Sequence, residues 1–96
     1  MIEIRETDTY TRWFSSLKDR KTRAIIDVRI RRISLGNFGD VKPVGHGISE
    51  IKIDYGPGYR IYFVNKNGAM VILLAGGDKS SQQKDIQKAI ELASEL

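Results

Sequence analysis

Two tight reversals, Gly56-Pro57-Gly58 and Asn67-Gly68, cut the apolar stretch from Ile48 to Gly76 into three short runs, and nothing else limits the fold as much. Gly and Asn reach the positive φ values that short hairpin loops demand, so such signals between alternating runs call for antiparallel neighbours. Ile48–Asp54 places Ile51 and Ile53 on one face and Glu50, Lys52 and Asp54 on the other. Tyr59–Val64 repeats the alternation, with Arg60, Tyr62 and Val64 opposite Tyr59, Ile61 and Phe63. Ala69–Ala75 is apolar throughout; periodicity alone does not separate a covered central strand from a buried helix, but its length and flanking glycines favour strand. Residues 48–76 are therefore read as a three-stranded meander, entered through a Gly-rich link containing Pro43, Gly45, His46 and Gly47.

The flanks carry a helical period. Tyr10, Trp13, Phe14 and Leu17 recur at i, i+3, i+4, i+7, which predicts a helix over Thr9–Lys18 with Asp8 as its cap. A second helix is predicted over Arg20–Leu35, with Ile26, Ile30 and Ile33 buried and Gly36 or Asn37 ending it. The link between them is so short that the two must form a helical hairpin. Ser80 and Gln83 have the spacing of a capping box ahead of Ile86, Ala89, Ile90 and Ala93, which predicts a C-terminal helix. Ile2 and Ile4 alternate with charged residues and add an N-terminal strand. The reading is an α+β single domain over residues 1–96, a small antiparallel sheet carrying a helical hairpin and a terminal helix.

Composition narrows the chemistry. With no cysteine and one histidine among 96 residues, neither a disulfide framework nor a Cys/His zinc site can be built. No run approaches the roughly 20 apolar residues of a membrane span, and Met1 to Glu6 lacks the order of a signal peptide, so a cytoplasmic location is expected. Sixteen Lys and Arg against 12 Asp and Glu leave a net charge of +4. The surplus is concentrated in Arg20, Lys21, Arg23, Arg29, Arg31 and Arg32, interrupted only by Asp27, a field suited to a polyanion or an acidic partner.

Parity across the Gly56–Gly58 reversal puts Glu50, Lys52, Asp54, Arg60 and Tyr62 on one face, and the next hairpin brings Asp78 and Lys79 back toward Arg60. Strands lie about 4.8 Å apart, so these cations can converge on one small anion such as a phosphate. The same pattern also describes a solvated sheet face laced with cross-strand ion pairs. His46, the one side chain that ordinarily titrates near neutrality, belongs with the candidates.

The run Gly56-Pro57-Gly58-Tyr59-Arg60-Ile61-Tyr62-Phe63, with Glu50-Ile51-Lys52 before it and Leu73-Leu74-Ala75-Gly76-Gly77-Asp78-Lys79-Ser80 and Gln83-Lys84-Asp85-Ile86 after it, resembles the RelE/ParE superfamily of bacterial toxins. More narrowly, it is similar to the addiction module killer protein branch, often labelled HigB-like. The resemblance implies a toxin of a type II toxin–antitoxin system, neutralised by a cognate helix-turn-helix antitoxin encoded beside it. It implies a ribosome-dependent endoribonuclease that cuts mRNA by attack of a 2′-hydroxyl on the adjacent phosphate, without metal or cofactor.

By position, the resemblance makes Arg60 the holder of the scissile phosphate, with Lys52 and Lys79 as further catalytic cations. Glu50 is the candidate acceptor of the 2′ proton. Arg20, Lys21, Arg23, Arg29, Arg31, Arg32, Tyr62 and His46 form the candidate RNA-binding set, the basic helix docking on ribosomal RNA. The chain departs from many active relatives in lacking the His or Tyr that follows their last strand. Two further readings stand beside this one: a ParE-like non-hydrolytic inhibitor of DNA gyrase, and a non-toxic RNA-binding regulatory module.

Overall fold

The computed structural model describes residues 1–96 as five strands and three helices. In chain order they are β1 (Glu3–Glu6), α1 (Asp8–Ser16), α2 (Arg20–Ser34), β2 (Val41–Gly45), β3 (Ile48–Ile53), β4 (Tyr59–Lys66), β5 (Met70–Asp78), a 3₁₀ turn (Lys79–Ser81) and α3 (Gln82–Ala93). The sheet order is β1-β5-β4-β3-β2. The predicted meander is its centre, and the α+β class holds.

Three details differ from the sequence reading. Pro43 and Gly45, read as part of a Gly-rich link, belong to the edge strand β2, antiparallel to β3. Its Pro43 and glycines mask a strand pattern, yet an edge tolerates a residue with no amide to donate. The sheet is mixed: β1 runs parallel to β5, with Glu3 opposite Met70, and no local pattern in four residues encodes direction. The β4–β5 hairpin pairs Lys66 with Met70, not Ala69, and a bulge lies where Phe63 faces Leu73 but Tyr62 faces Ala75. Each one-residue slip alone would reverse the faces; together they restore parity and move the end of β5 two residues along, setting Gly77 opposite Arg60.

The sheet is covered on both sides. On one face Ile51, Ile53, Ile61, Phe63, Val71 and Leu73 pack with Tyr10 of α1 and Ile26 and Ile33 of α2. On the other, Ile48, Tyr62, Val64, Leu74 and Ala75 pack with Ala89 of α3. Complete burial of a large apolar side chain contributes about 1.5–3 kcal/mol, so these two layers supply most of the driving force.

Caps set where each helix begins. Thr7, not Asp8, caps α1: its hydroxyl accepts from the Tyr10 amide at 3.1 Å and donates to the Leu74 carbonyl at 2.6 Å, fastening the helix to β5. Asp19 caps α2, accepting from the Lys21 amide at 3.1 Å and the Thr22 hydroxyl at 3.0 Å. Gly36, at φ 92°, ends it as predicted. The expected Ser80 capping box does not form, because Ser80 donates to Asp78 through both its amide (2.8 Å) and its hydroxyl (2.5 Å). The helix starts at Gln82, one residue later than a Ser80 cap would set it.

Candidate functional site

At the open end of the β3–β4 hairpin the chain reverses through Gly56 and Gly58, both at positive φ (58° and 83°), with the Gly58 amide donating to the Tyr55 carbonyl at 3.1 Å. Glycine takes up such angles without the steric cost that a Cβ brings. The turn forms one wall of a hollow of about 350 Å³ lined by Lys52, Asp54, Tyr55, Gly56, Pro57, Gly58, Arg60 and Lys79. Lys52 and Arg60 are direct cross-strand partners, and Lys79 arrives from the segment leaving β5, beside Gly58. The structure thus brings Lys52, Arg60 and Lys79 together around one space. Asp54 is the only carboxylate among its lining residues, and its Oδ1 lies 3.8 Å from Lys52 Nζ.

Arg60 differs from the two lysines in burial. Its side chain is 10% exposed, while Lys52 keeps 45%. Beneath it lies Glu50, with no exposed surface, its Oε1 3.6 Å from Arg60 Nε and 3.9 Å from Lys42 Nζ. Gln82, the first residue of α3, donates to Glu50 Oε2 at 2.9 Å. Arg60 Nε and Nη1 are buried without a hydrogen-bond partner, as is Glu50 Oε1. Nε faces the Glu50 carboxylate, and Arg60 borders the hollow beside Lys52 and Lys79, a cationic setting suited to an anion.

The remaining candidates fall in different places. Glu50 is sealed under α3 and does not line the hollow, so in this arrangement it touches Arg60 and not RNA. Tyr62, also fully buried, faces Glu50, and burial first and that carboxylate second push its phenol pKa far above the usual value. Its hydroxyl has no hydrogen-bond partner. Because that hydroxyl still faces the Glu50 carboxylate, Tyr62→Phe is expected to leave activity intact and to change unfolding free energy by no more than about 1 kcal/mol, measured by urea denaturation. His46 sits at φ 57° in the β2–β3 turn, beside Ile90, Ala93 and Ser94 and outside the hollow.

Along α2, Arg20, Lys21, Arg31 and Arg32 are exposed. Arg23 instead donates to the Leu17 carbonyl. Arg29 donates to the carbonyls of Lys52 at 3.0 Å and Asp40 at 3.3 Å, tying the helix to the sheet. These two are partly spent on structure. Tyr55 escaped the sequence reading, although its place next to the glycine reversal was the signal that it borders the site.

Gly77 explains how α3 comes so close. A Cβ there would run into the Asp85 carboxylate and the Ser81 hydroxyl, which are themselves bonded at 2.5 Å. Gly77→Ala is expected to push the start of α3 off the sheet and destabilise by about 1–3 kcal/mol, read by chemical denaturation. On the same segment, the hydroxyl and amide of Ser80 hold the Asp78 carboxyl below its usual range, so it stays ionised next to Lys79.

Comparison with known proteins bears on the family and the fold. The model of the family "Phage derived protein Gp49-like (DUF891)" matches residues 12–96. An uncharacterized protein of Haemophilus influenzae is 54% identical over 95 residues, spanning 99% of this chain and 96% of that one. Among solved structures, a mutant of the E. coli toxin RelE in the free state superposes with a TM-score of 0.77 at 13% identity, over 94% of this chain and 95% of that chain. The intact E. coli RelBE toxin–antitoxin complex gives 0.67 at 14%, over 81% of this chain and 96% of the other. The RelBE2 complex of Mycobacterium tuberculosis gives 0.62 at 20%, over 81% and 98%. Sequence and architecture point the same way: this chain belongs to the phage-derived Gp49-like family and is built on the RelE fold.

Proposed function

We propose that the chain is the toxin of a toxin–antitoxin pair and that it cleaves messenger RNA on the ribosome through the cationic hollow. One observation carries the reading: the side chain of Arg60, nine-tenths buried and paired with Glu50, lines a single hollow together with Lys52 and Lys79. Arg60 grips the scissile phosphate with its planar fork, and Lys52 and Lys79 stabilise charge that develops on the phosphoryl and leaving oxygens. Asp54, the carboxylate on the wall, is the proton acceptor the hollow offers, and Lys79 is placed to protonate the leaving oxygen. Glu50 holds the guanidinium in place. The exposed cations of α2 add salt-sensitive contacts to ribosomal RNA.

Inducing the chain in growing bacteria tests the target. Translational arrest with fragmented messenger is expected. A DNA-damage response with intact messenger transfers the reading to gyrase, and unaffected growth transfers it to a regulatory module.

A further inference from the structure

Gln82 opens α3 half-buried, and its amide supplies the one side-chain hydrogen bond that Glu50 accepts, to Oε2 at 2.9 Å. An ionised carboxylate only accepts, so the amide turns its nitrogen toward it. The other oxygen, Oε1, has no hydrogen-bond partner and lies 3.6 Å from Arg60 Nε and 3.9 Å from Lys42 Nζ. One carboxylate thus has a neutral donor on one oxygen and two cations drawing on the other.

The last torsion of a glutamate side chain is broad, with no deep staggered minimum, so nothing within Glu50 fixes how its oxygens are turned. Glu50 has no exposed surface, which leaves the angle to its neighbours. A cation at position 82 would pull the carboxylate off Arg60, whereas an amide holds it without neutralising it. Gln82 is itself held in place. The Ser81 hydroxyl donates to Asp85 at 2.5 Å across the first turn of α3, and Gly77, the cross-strand partner of Arg60, leaves the space which that turn fills.

We infer that Gln82 is a positioning residue for the cleavage: by fixing the Glu50 carboxylate it sets the orientation of the Arg60 guanidinium at the hollow; this rests on the nuclease reading above. Gln82 does not line the hollow, so its effect passes through the two residues between. A residue that merely fastened α3 to the sheet would change stability and leave the rate alone.

The experiment measures single-turnover messenger cleavage over a range of ribosome concentrations and follows the Arg60 Nε–Hε resonance by NMR. It uses wild type, Gln82→Met, Gln82→Asn, whose amide is one methylene too short for the contact, and Gln83→Met on the exposed neighbouring position. Both Gln82 variants are expected to lower the maximal rate about tenfold and to shift the Arg60 resonance, and Gln83→Met to do neither. The half-saturating concentration should change by less than about twofold, the mark of an interaction felt in the transition state and not in binding. Added to Arg60→Lys, Gln82→Met should slow cleavage by less than about twofold more, because the group it orients is gone. A lower melting temperature with the wild-type rate overturns the inference alone, as does a slower rate with the Arg60 resonance unmoved or with full additivity in the double variant. Wild-type chain that leaves messenger intact on ribosomes overturns it together with the nuclease reading.

Discussion

Replacing Arg60 by alanine is expected to lower messenger cleavage on ribosomes about 10²–10³-fold, the cost of removing one preorganised charge donor from a reacting oxyanion. The substitution also strips Glu50 of its nearest cation, so loss of fold and loss of chemistry must be told apart. Arg60→Lys does this. A lysine keeps a positive charge near the buried carboxylate but cannot present the planar fork, so the variant should melt close to wild type and still cleave at least about tenfold more slowly. Cleavage at wild-type rate in both variants would remove the hollow from the mechanism.

The second large effect falls on stability. Glu50→Ala leaves the Arg60 guanidinium buried with no counter-anion within reach and deprives Gln82 of its acceptor at the start of α3. Breaking one side of a buried ion pair costs about 3–5 kcal/mol. In a domain of this size that lowers the melting temperature by more than about 10 °C. The double variant Glu50→Leu/Arg60→Met removes both charges and should recover much of that stability while remaining unable to cleave. Glu50→Gln decides between positioning and proton transfer. As a positioning residue, Glu50 should alter the rate without changing the pH profile; as the base, its loss should abolish the limb that reports its ionisation.

The meander, the two main helix stripes and the polar face of β3 and β4 were legible because each rests on short-range periodicity and on turn residues with few allowed conformations. The convergence of Lys52, Arg60 and Lys79 was legible for a related reason: strand parity and hairpin direction place them, given the two reversals. The edge strand β2 was not, since Pro43 and Gly45 carry a loop signature that only pairing with β3 overrides. The roles assigned to Glu50 and Tyr62 depended on the face of the sheet being wet. Nothing within residues 48–76 shows that α3 folds back across that face, because the approach depends on Gly77 and on a helix start reset by Asp78 and Ser80.

Local sequence by itself determined the three helices, the three strands of the central meander and which side of each strand its residues occupy, since these follow from side-chain period and backbone sterics over a few neighbours. Tertiary structure alone decided the parallel docking of β1, the two slips that set Gly77 opposite Arg60, and the burial that makes Glu50 a support for the guanidinium. Such outcomes depend on how distant elements share surface and charge. No window of residues along the chain contains that information.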